Sequence, residues 1–152
     1  MIFFHKAIAS WFGIGYVQKG AGTIAAVFAC VLIRYYSEDI NSSVWYLINA
    51  GIGLGVLGSW SSQQCEKVWG TDSNRIVVDE VFGMVVSLLF LPINNKTVII
   101  GLVLFRVFDI VKPWYIRRLE KIKGGIGVMA DDLAAGIYAN VILQLLIQTK
   151  LI

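Results

Sequence analysis

Apolar residues run almost continuously along this chain, broken at short intervals by polar stretches containing Ser, Asn, Lys and Pro. Five runs, at residues 21–36, 44–60, 76–93, 97–111 and 133–147, approach what a helix needs to cross a bilayer core, about 20 residues with about 17 as the lower end. They lack the alternation of half-buried strands and are rich in Ala, Leu and Gly, so they read as helices. Residues 1–16 are apolar but interrupted by His5 and Lys6 and carry no small-residue cleavage pattern, which fits an amphipathic helix lying at a membrane interface. No repeat, low-complexity tract or long linker divides the chain. The pattern predicts an all-α fold: a compact helical membrane bundle with about five apolar helices plus an N-terminal interfacial helix, as a single domain over residues 1–152.

Composition narrows this further. With 57% hydrophobic residues and 15% charged ones, few polar side chains remain to cover a water-facing surface, so a soluble helical bundle is the weaker alternative. The net charge of +3 is small and no basic stripe appears, which argues against a nucleic-acid partner and leaves membrane lipid as the expected surroundings. Cys30 lies in an apolar run and Cys65 is expected in a polar loop; their spacing suggests neither a zinc site nor a disulfide.

If the N-terminus starts on the cytoplasmic side, the inner segments hold Lys6, Lys19, Lys67, Arg75, Lys112, Arg117, Arg118, Lys121 and Lys123, against Arg34, Lys96 and Lys150 outside. This bias sets the orientation. Arg106 falls within the fourth run.

Charges in apolar runs cost roughly 2.5 to 3.5 kcal/mol each at a helix centre, so their positions carry information. Asp79 and Glu80 stand near the start of the third run, Arg106, Asp109 and Lys112 toward the end of the fourth, and Asp131 and Asp132 at the start of the fifth, while Lys19, Gly22 and Thr23 open the first. Alternating topology places all of these ends on the cytoplasmic side. Arg106, Asp109 and Lys112 share a helix face, two cations flanking one carboxylate. In each adjacent acidic pair the side chains diverge by about 100°, so one of each pair is expected to face a shared centre.

Carboxylates without a histidine partner form a hard-oxygen ligand set, suited to magnesium or manganese, with a substrate phosphate and Arg106 or Lys112 completing the charge balance. The bland reading is a set of salt bridges that pin helices together. Glycines near these groups (Gly13, Gly15, Gly20, Gly22, Gly124, Gly125, Gly127) could bring backbone amides to a phosphate, or could simply pack helices. No Gly-Lys-Thr or Gly-Lys-Ser follows them, which excludes a nucleotide P-loop. His5, the sole histidine, reads as an interface residue. Cys65 has no following arginine loop and no Asp-x-Asp pair occurs, so thiolate and Asp-x-Asp phosphatase chemistry are disfavoured; activated water, a carboxylate nucleophile and Thr23 stay open. The second and fifth runs look mostly apolar beyond their ends, which argues against an ion-coupled transporter, and the motif of a cytidine-diphosphate lipid transferase is not seen.

Three segments together carry a family resemblance: Ile76-Val77-Val78-Asp79-Glu80-Val81-Phe82-Gly83, Phe105-Arg106-Val107-Phe108-Asp109-Ile110-Val111-Lys112-Pro113, and Gly124-Gly125-Ile126-Gly127-Val128-Met129-Ala130-Asp131-Asp132-Leu133-Ala134-Ala135-Gly136. From about Gly13 to Tyr138 the chain resembles phosphatidylglycerophosphatase A. The resemblance implies a magnesium-dependent phosphatase of the bacterial inner membrane that converts phosphatidylglycerophosphate to phosphatidylglycerol, with its site toward the cytoplasm. It places catalytic and metal-binding roles on Asp79, Glu80, Asp109, Asp131 and Asp132, and phosphate contacts on Arg106 and Lys112. Its glycine-threonine turn falls on Gly22 and Thr23, which with Lys19 are the further candidates for phosphate or head-group contact. Here the chain departs from the family pattern: Gln18-Lys19-Gly20-Ala21-Gly22-Thr23, then Ala25-Ala26, replaces Pro-x-Ala-Pro-Gly-Thr and a Gly-Ser, and Tyr115 replaces a usual proline. Another phosphatidyl-alcohol phosphate, such as an inositol phosphate, is the alternative substrate.

Overall fold

The computed structural model describes residues 2–17, 19–37, 40–71, 73–119 and 121–152, with backbone alone at residues 40–43 and 114. Its elements in chain order are α1 (Ile2–Ala9), a 3₁₀ turn (Ile14–Tyr16), α2 (Ala21–Tyr36), α3 (Ile40–Trp69), α4 (Val78–Ser87), α5 (Asn95–Val111), α6 (Trp114–Leu119) and α7 (Gly125–Gln148). No strand occurs among the described residues, as the continuous apolar runs require.

Local chemistry sets several of the boundaries. Beyond α1, Trp11, Phe12 and Gly13 take left-handed backbone angles, which turn the chain into the 3₁₀ segment. The Asn94 side chain accepts a hydrogen bond from Thr97 N at 2.9 Å and so starts α5. Lys112, with φ 44°, ends α5 just before Pro113.

The centre of the bundle is α4. Most of its residues are buried, from Val78 through Val81–Ser87, because α2, α3, α5 and α7 all pack against it. A helix enclosed on every side must be apolar all round, and this one is apart from the acidic first turn. The small face of α2, formed by buried Ala21, Ala25, Ala26 and Ala29, lets α2 and α4 approach closely. Phe105 of α5, Met84 of α4 and Leu143 of α7 fill the space between, each fully buried.

α4 and α7 make the tightest crossing. A Cβ on Gly136 would meet the carbonyl oxygen of Gly83, and one on Gly83 would meet the Phe105 ring and the carbonyl of Asp132. Glycine at both positions lets the backbones touch.

Each of the five apolar runs holds helix, in α2, α3, α4, α5 and α7, though the helices differ in length from the runs. Among the described residues one helix, α7, is long and apolar enough to cross a membrane by length and composition, and α2 is a shorter apolar helix. The third run contains only the 10-residue α4, since the chain leaves helical geometry at Leu88 and Phe90 takes φ 61°. The second run is part of a 30-residue helix that continues through the predicted polar loop, so Cys65 is a fully buried residue of α3. The predicted interfacial segment contains an eight-residue helix that packs on α3, and His5 faces inward: its Nδ1 lies 3.3 Å from Ser61 Oγ and its ring meets Trp60 edge-on. The segment's apolar outer side is kept by Phe3, Phe4 and Phe12, all exposed. The bundle's flank is apolar too, with Val31, Ile52, Val56, Ile99, Val103 and Leu145 exposed.

Candidate functional site

Four helix ends meet at one side of the bundle. The first turn of α4 brings Asp79 and Glu80, where its partial positive charge favours acidic side chains. The last turns of α5 bring Arg106 and Asp109, followed by Lys112 at its cap, and α7 brings Asp131 and Asp132. The start of α2 brings Gly20, Ala21 and Gly22. Together with Val17, Ser73, Asn74, Ile76 and Val128 they line a cleft of about 300 Å³. Arg34, at the other end of α2, donates instead to Asn95 at the start of α5.

Within the cleft, Asp79, Glu80 and Asp132 each place a carboxylate oxygen within 4.8 Å of the others. Asp132 is buried, and Asp79 Oδ1, Glu80 Oε2 and Asp132 Oδ2 are buried oxygens without a hydrogen-bond partner. Like charges this close, removed from water, repel unless a cation or protons compensate them. The arrangement fits a hard divalent ion: oxygen donors from two helices, with lone pairs that no protein group uses. Asp109 and Asp131 stand outside this group, each against a cation. Arg106 Nη1 pairs with Asp109 Oδ2 and lies 3.9 Å from Glu80 Oε1, while Lys112 Nζ donates to Asp131 Oδ2 at 2.7 Å.

The divergence rule therefore holds for one acidic pair and fails for the other. Asp131 turns to Lys112 and Asp132 inward, but Asp79 and Glu80 both face the centre. They do so because α4 is buried on all sides near its start, leaving the cleft as their shared polar exit. Of the three, Arg106 reaches Asp109 and Glu80, and Lys112 reaches across to Asp131 of α7.

The glycines divide in the same way. A Cβ on Gly22 would strike the Glu80 carboxylate, so Gly22 gives Glu80 its place over the start of α2. Gly124 and Gly125 instead seat α7 on α3, where Gln63 Oε1 accepts from Gly125 N at 2.8 Å and a Cβ on Gly125 would meet Ser59 O. Gly15 lies against the Arg75 carbonyl, and Gly127 against that of Ile122. Lys19 and Thr23 are exposed and do not line the cleft. Ser73 and Asn74 do line it; they lie in the α3–α4 connection, between motifs, where no sequence pattern marked them.

Clustered carboxylates, two cations and the start of α2 thus share one polar cleft in an all-helical bundle. A family model described as phosphatidylglycerophosphatase A matches residues 7–147. An Escherichia coli K12 protein named phosphatidylglycerophosphatase A is 38% identical, the match covering 90% of this chain and 79% of that one. Its namesake in Haemophilus influenzae is 30% identical, covering 89% and 83%. A Bacteroides thetaiotaomicron protein, named provisionally as a phosphatidylinositol-3-phosphatase, is 36% identical, covering 90% and 89%. No solved structure matches the chain. The chain belongs to the phosphatidylglycerophosphatase A family and is a phosphoric monoester hydrolase.

Proposed function

We propose that this enzyme hydrolyses the phosphomonoester of phosphatidylglycerophosphate, giving phosphatidylglycerol and inorganic phosphate in phospholipid biosynthesis. The observation that carries this reading is the Asp79–Glu80–Asp132 cluster, whose unpartnered oxygens face the same cleft as Arg106 and Lys112. Asp79, Glu80 and Asp132 would hold magnesium, with Asp109 and Asp131 next to them. When bound, the ion supplies Lewis-acid charge to the phosphoryl group.

The chain's own residues account for the rest. Arg106 and Lys112 offer positive charge to phosphoryl oxygens, and their carboxylate partners keep both side chains oriented toward the cleft. Water attacks phosphorus, the bond to the glycerol oxygen breaks, and the leaving oxygen takes a proton. Asp109 and Asp131 are carboxylates within the cleft that can accept the attacking water's proton. The start of α2, around Gly20–Gly22, presents backbone amides to the head group.

Several apolar helices, α2 and α7 foremost, would sit in a bacterial inner membrane in a multi-pass arrangement, supported by the exposed apolar flank and the basic residues near the cleft. The site would then open toward the cytoplasm, and the substrate's acyl chains would stay in the bilayer.

A second reading, phosphatidylinositol 3-phosphate as substrate, is favoured by the name of the Bacteroides relative. Phosphate release by the purified protein, measured on both lipids side by side with magnesium and with chelator, tests the two. Magnesium-dependent release at least tenfold faster from phosphatidylglycerophosphate supports the first reading. The reverse preference supports the second, and release unchanged in excess chelator removes the metal.

A further inference from the structure

α4 and α7 run side by side in a register of three steps, each four residues long. Asp79 stands by Asp132, Gly83 touches Gly136, and Ser87 meets Asn140. At the last step the Asn140 Nδ2 group donates to the backbone oxygens of Leu89 at 2.8 Å, Ser87 at 3.1 Å and Val86 at 3.4 Å. Its Oδ1 accepts from Gln144 Nε2 at 2.7 Å, one turn further along α7, and this holds the amide with its N–H groups toward α4. A helix that stops inside a bundle leaves last carbonyls in need of partners; here a side chain of the neighbouring helix serves Ser87 and Leu89 and shares Val86 O with Leu89 N. This mostly apolar stretch of α7 thus carries two polar residues, both engaged with protein groups.

The geometry points to Asn140 as a positioning residue for the carboxylate cluster. The Gly83–Gly136 crossing is a pivot, and Asp79 and Ser87 lie four residues to either side of it, about 6 Å along the axis each way. A tilt that moves the end of α4 by 1 Å therefore moves Asp79 by about 1 Å in the opposite sense. Cation ligands tolerate less than that, since a productive constellation holds within about 0.5 Å. Asn140 clamps the free arm of this lever, and both side chains that make the clamp, Asn140 and Gln144, lie on the helix that carries Asp132. The inference rests on the reading of Asp79, Glu80 and Asp132 as a divalent-cation site.

The test is Mn²⁺ binding by the detergent-purified protein, followed by electron paramagnetic resonance, together with kcat and KM at fixed magnesium. Asn140→Leu, which keeps the branch at Cγ but replaces the amide with methyl groups, should raise the Mn²⁺ concentration for half-saturation about tenfold and lower kcat by a similar factor while KM for the lipid stays within twofold. Gln144→Leu, which leaves the Asn140 amide in place but unheld, should shift both in the same direction by about threefold. Val141→Ala, on the exposed side of the same turn, should change neither. Unaltered Mn²⁺ affinity in Asn140→Leu overturns the inference, and should that variant not fold, unaltered affinity in Gln144→Leu does so. A wild-type protein that binds no Mn²⁺ overturns the cation site itself and the inference with it.

Discussion

Lys112 Nζ stands 2.7 Å from Asp131 Oδ2, tying the end of α5 to the side of α7 at the rim of the cleft. Lys112 is also the residue that ends α5, in a left-handed turn with φ 44°. The pair is partly buried, at 25% and 13% exposure of the two side chains, so neither group is fully screened by water.

Removing either partner should lower activity, and the losses should be coupled. Lys112→Met is expected to reduce kcat by about tenfold to a hundredfold, or about 1.4 to 2.7 kcal/mol of transition-state stabilisation. Asp131→Asn should have a smaller effect. Steady-state phosphate release from the two single variants and the double variant checks this: the double should lose less than the product of the singles, because the second change removes a contact already gone.

Gly22 and Thr23 are neighbours with opposite expectations. Gly22→Ala places a methyl group on the Glu80 carboxylate, which must move out of the cluster, so activity should fall about tenfold or more with little change in thermal stability. Thr23 is exposed and outside the cleft lining, so Thr23→Ala should stay within twofold of wild type. A severe loss in Thr23→Ala would instead restore the hydroxyl as a participant.

Neutralising the central carboxylates tests the cluster directly. Asp79→Asn and Asp132→Asn keep shape but remove charge, and each should lower phosphate release by about a hundredfold or more at saturating magnesium. If the cluster is merely a repulsive patch, the same changes relieve strain, raise the melting temperature and leave the rate intact.

The α4–α7 crossing should tolerate no side chain. Gly136→Val forces a branched group against the Gly83 carbonyl and Val86, and overpacking of this kind costs about 1 to 3 kcal/mol. A lowered melting midpoint in detergent, compared with Ala134→Val on a less crowded part of the same helix, measures it.

Much of the site was legible because charge is rare in this chain. Asp79, Glu80, Arg106, Asp109, Lys112, Asp131 and Asp132 stand out against apolar surroundings, and all of them do line one cleft. Asn140 and Gln144 were not legible in the same way: they are neutral, set singly in an apolar run, and become informative once the carbonyls of α4 are seen opposite them. Cys65 and His5 were misplaced for a related reason. The polar residues around Cys65 read as a loop, yet Ser61 and Ser62 turn inward within a continuous α3 and His5 meets Ser61.

By itself, the sequence determined the helical class, through continuous apolar runs without alternation, and the family, through three spaced motifs whose acidic and basic residues gather at helix ends. Periodicity along one helix says which residues share a face, but not what that face meets. The tertiary structure decided the partners: that Asp79 and Glu80 both join Asp132, that Asp109 and Asp131 pair with Arg106 and Lys112, and that Gly22 makes room for Glu80. It also decided that α4 is a short, enclosed helix, whose end meets the Asn140 side chain of another helix. Such choices turn on distances between segments far apart in the chain, where a shift of about 1 Å separates a shared site from an ordinary ion pair.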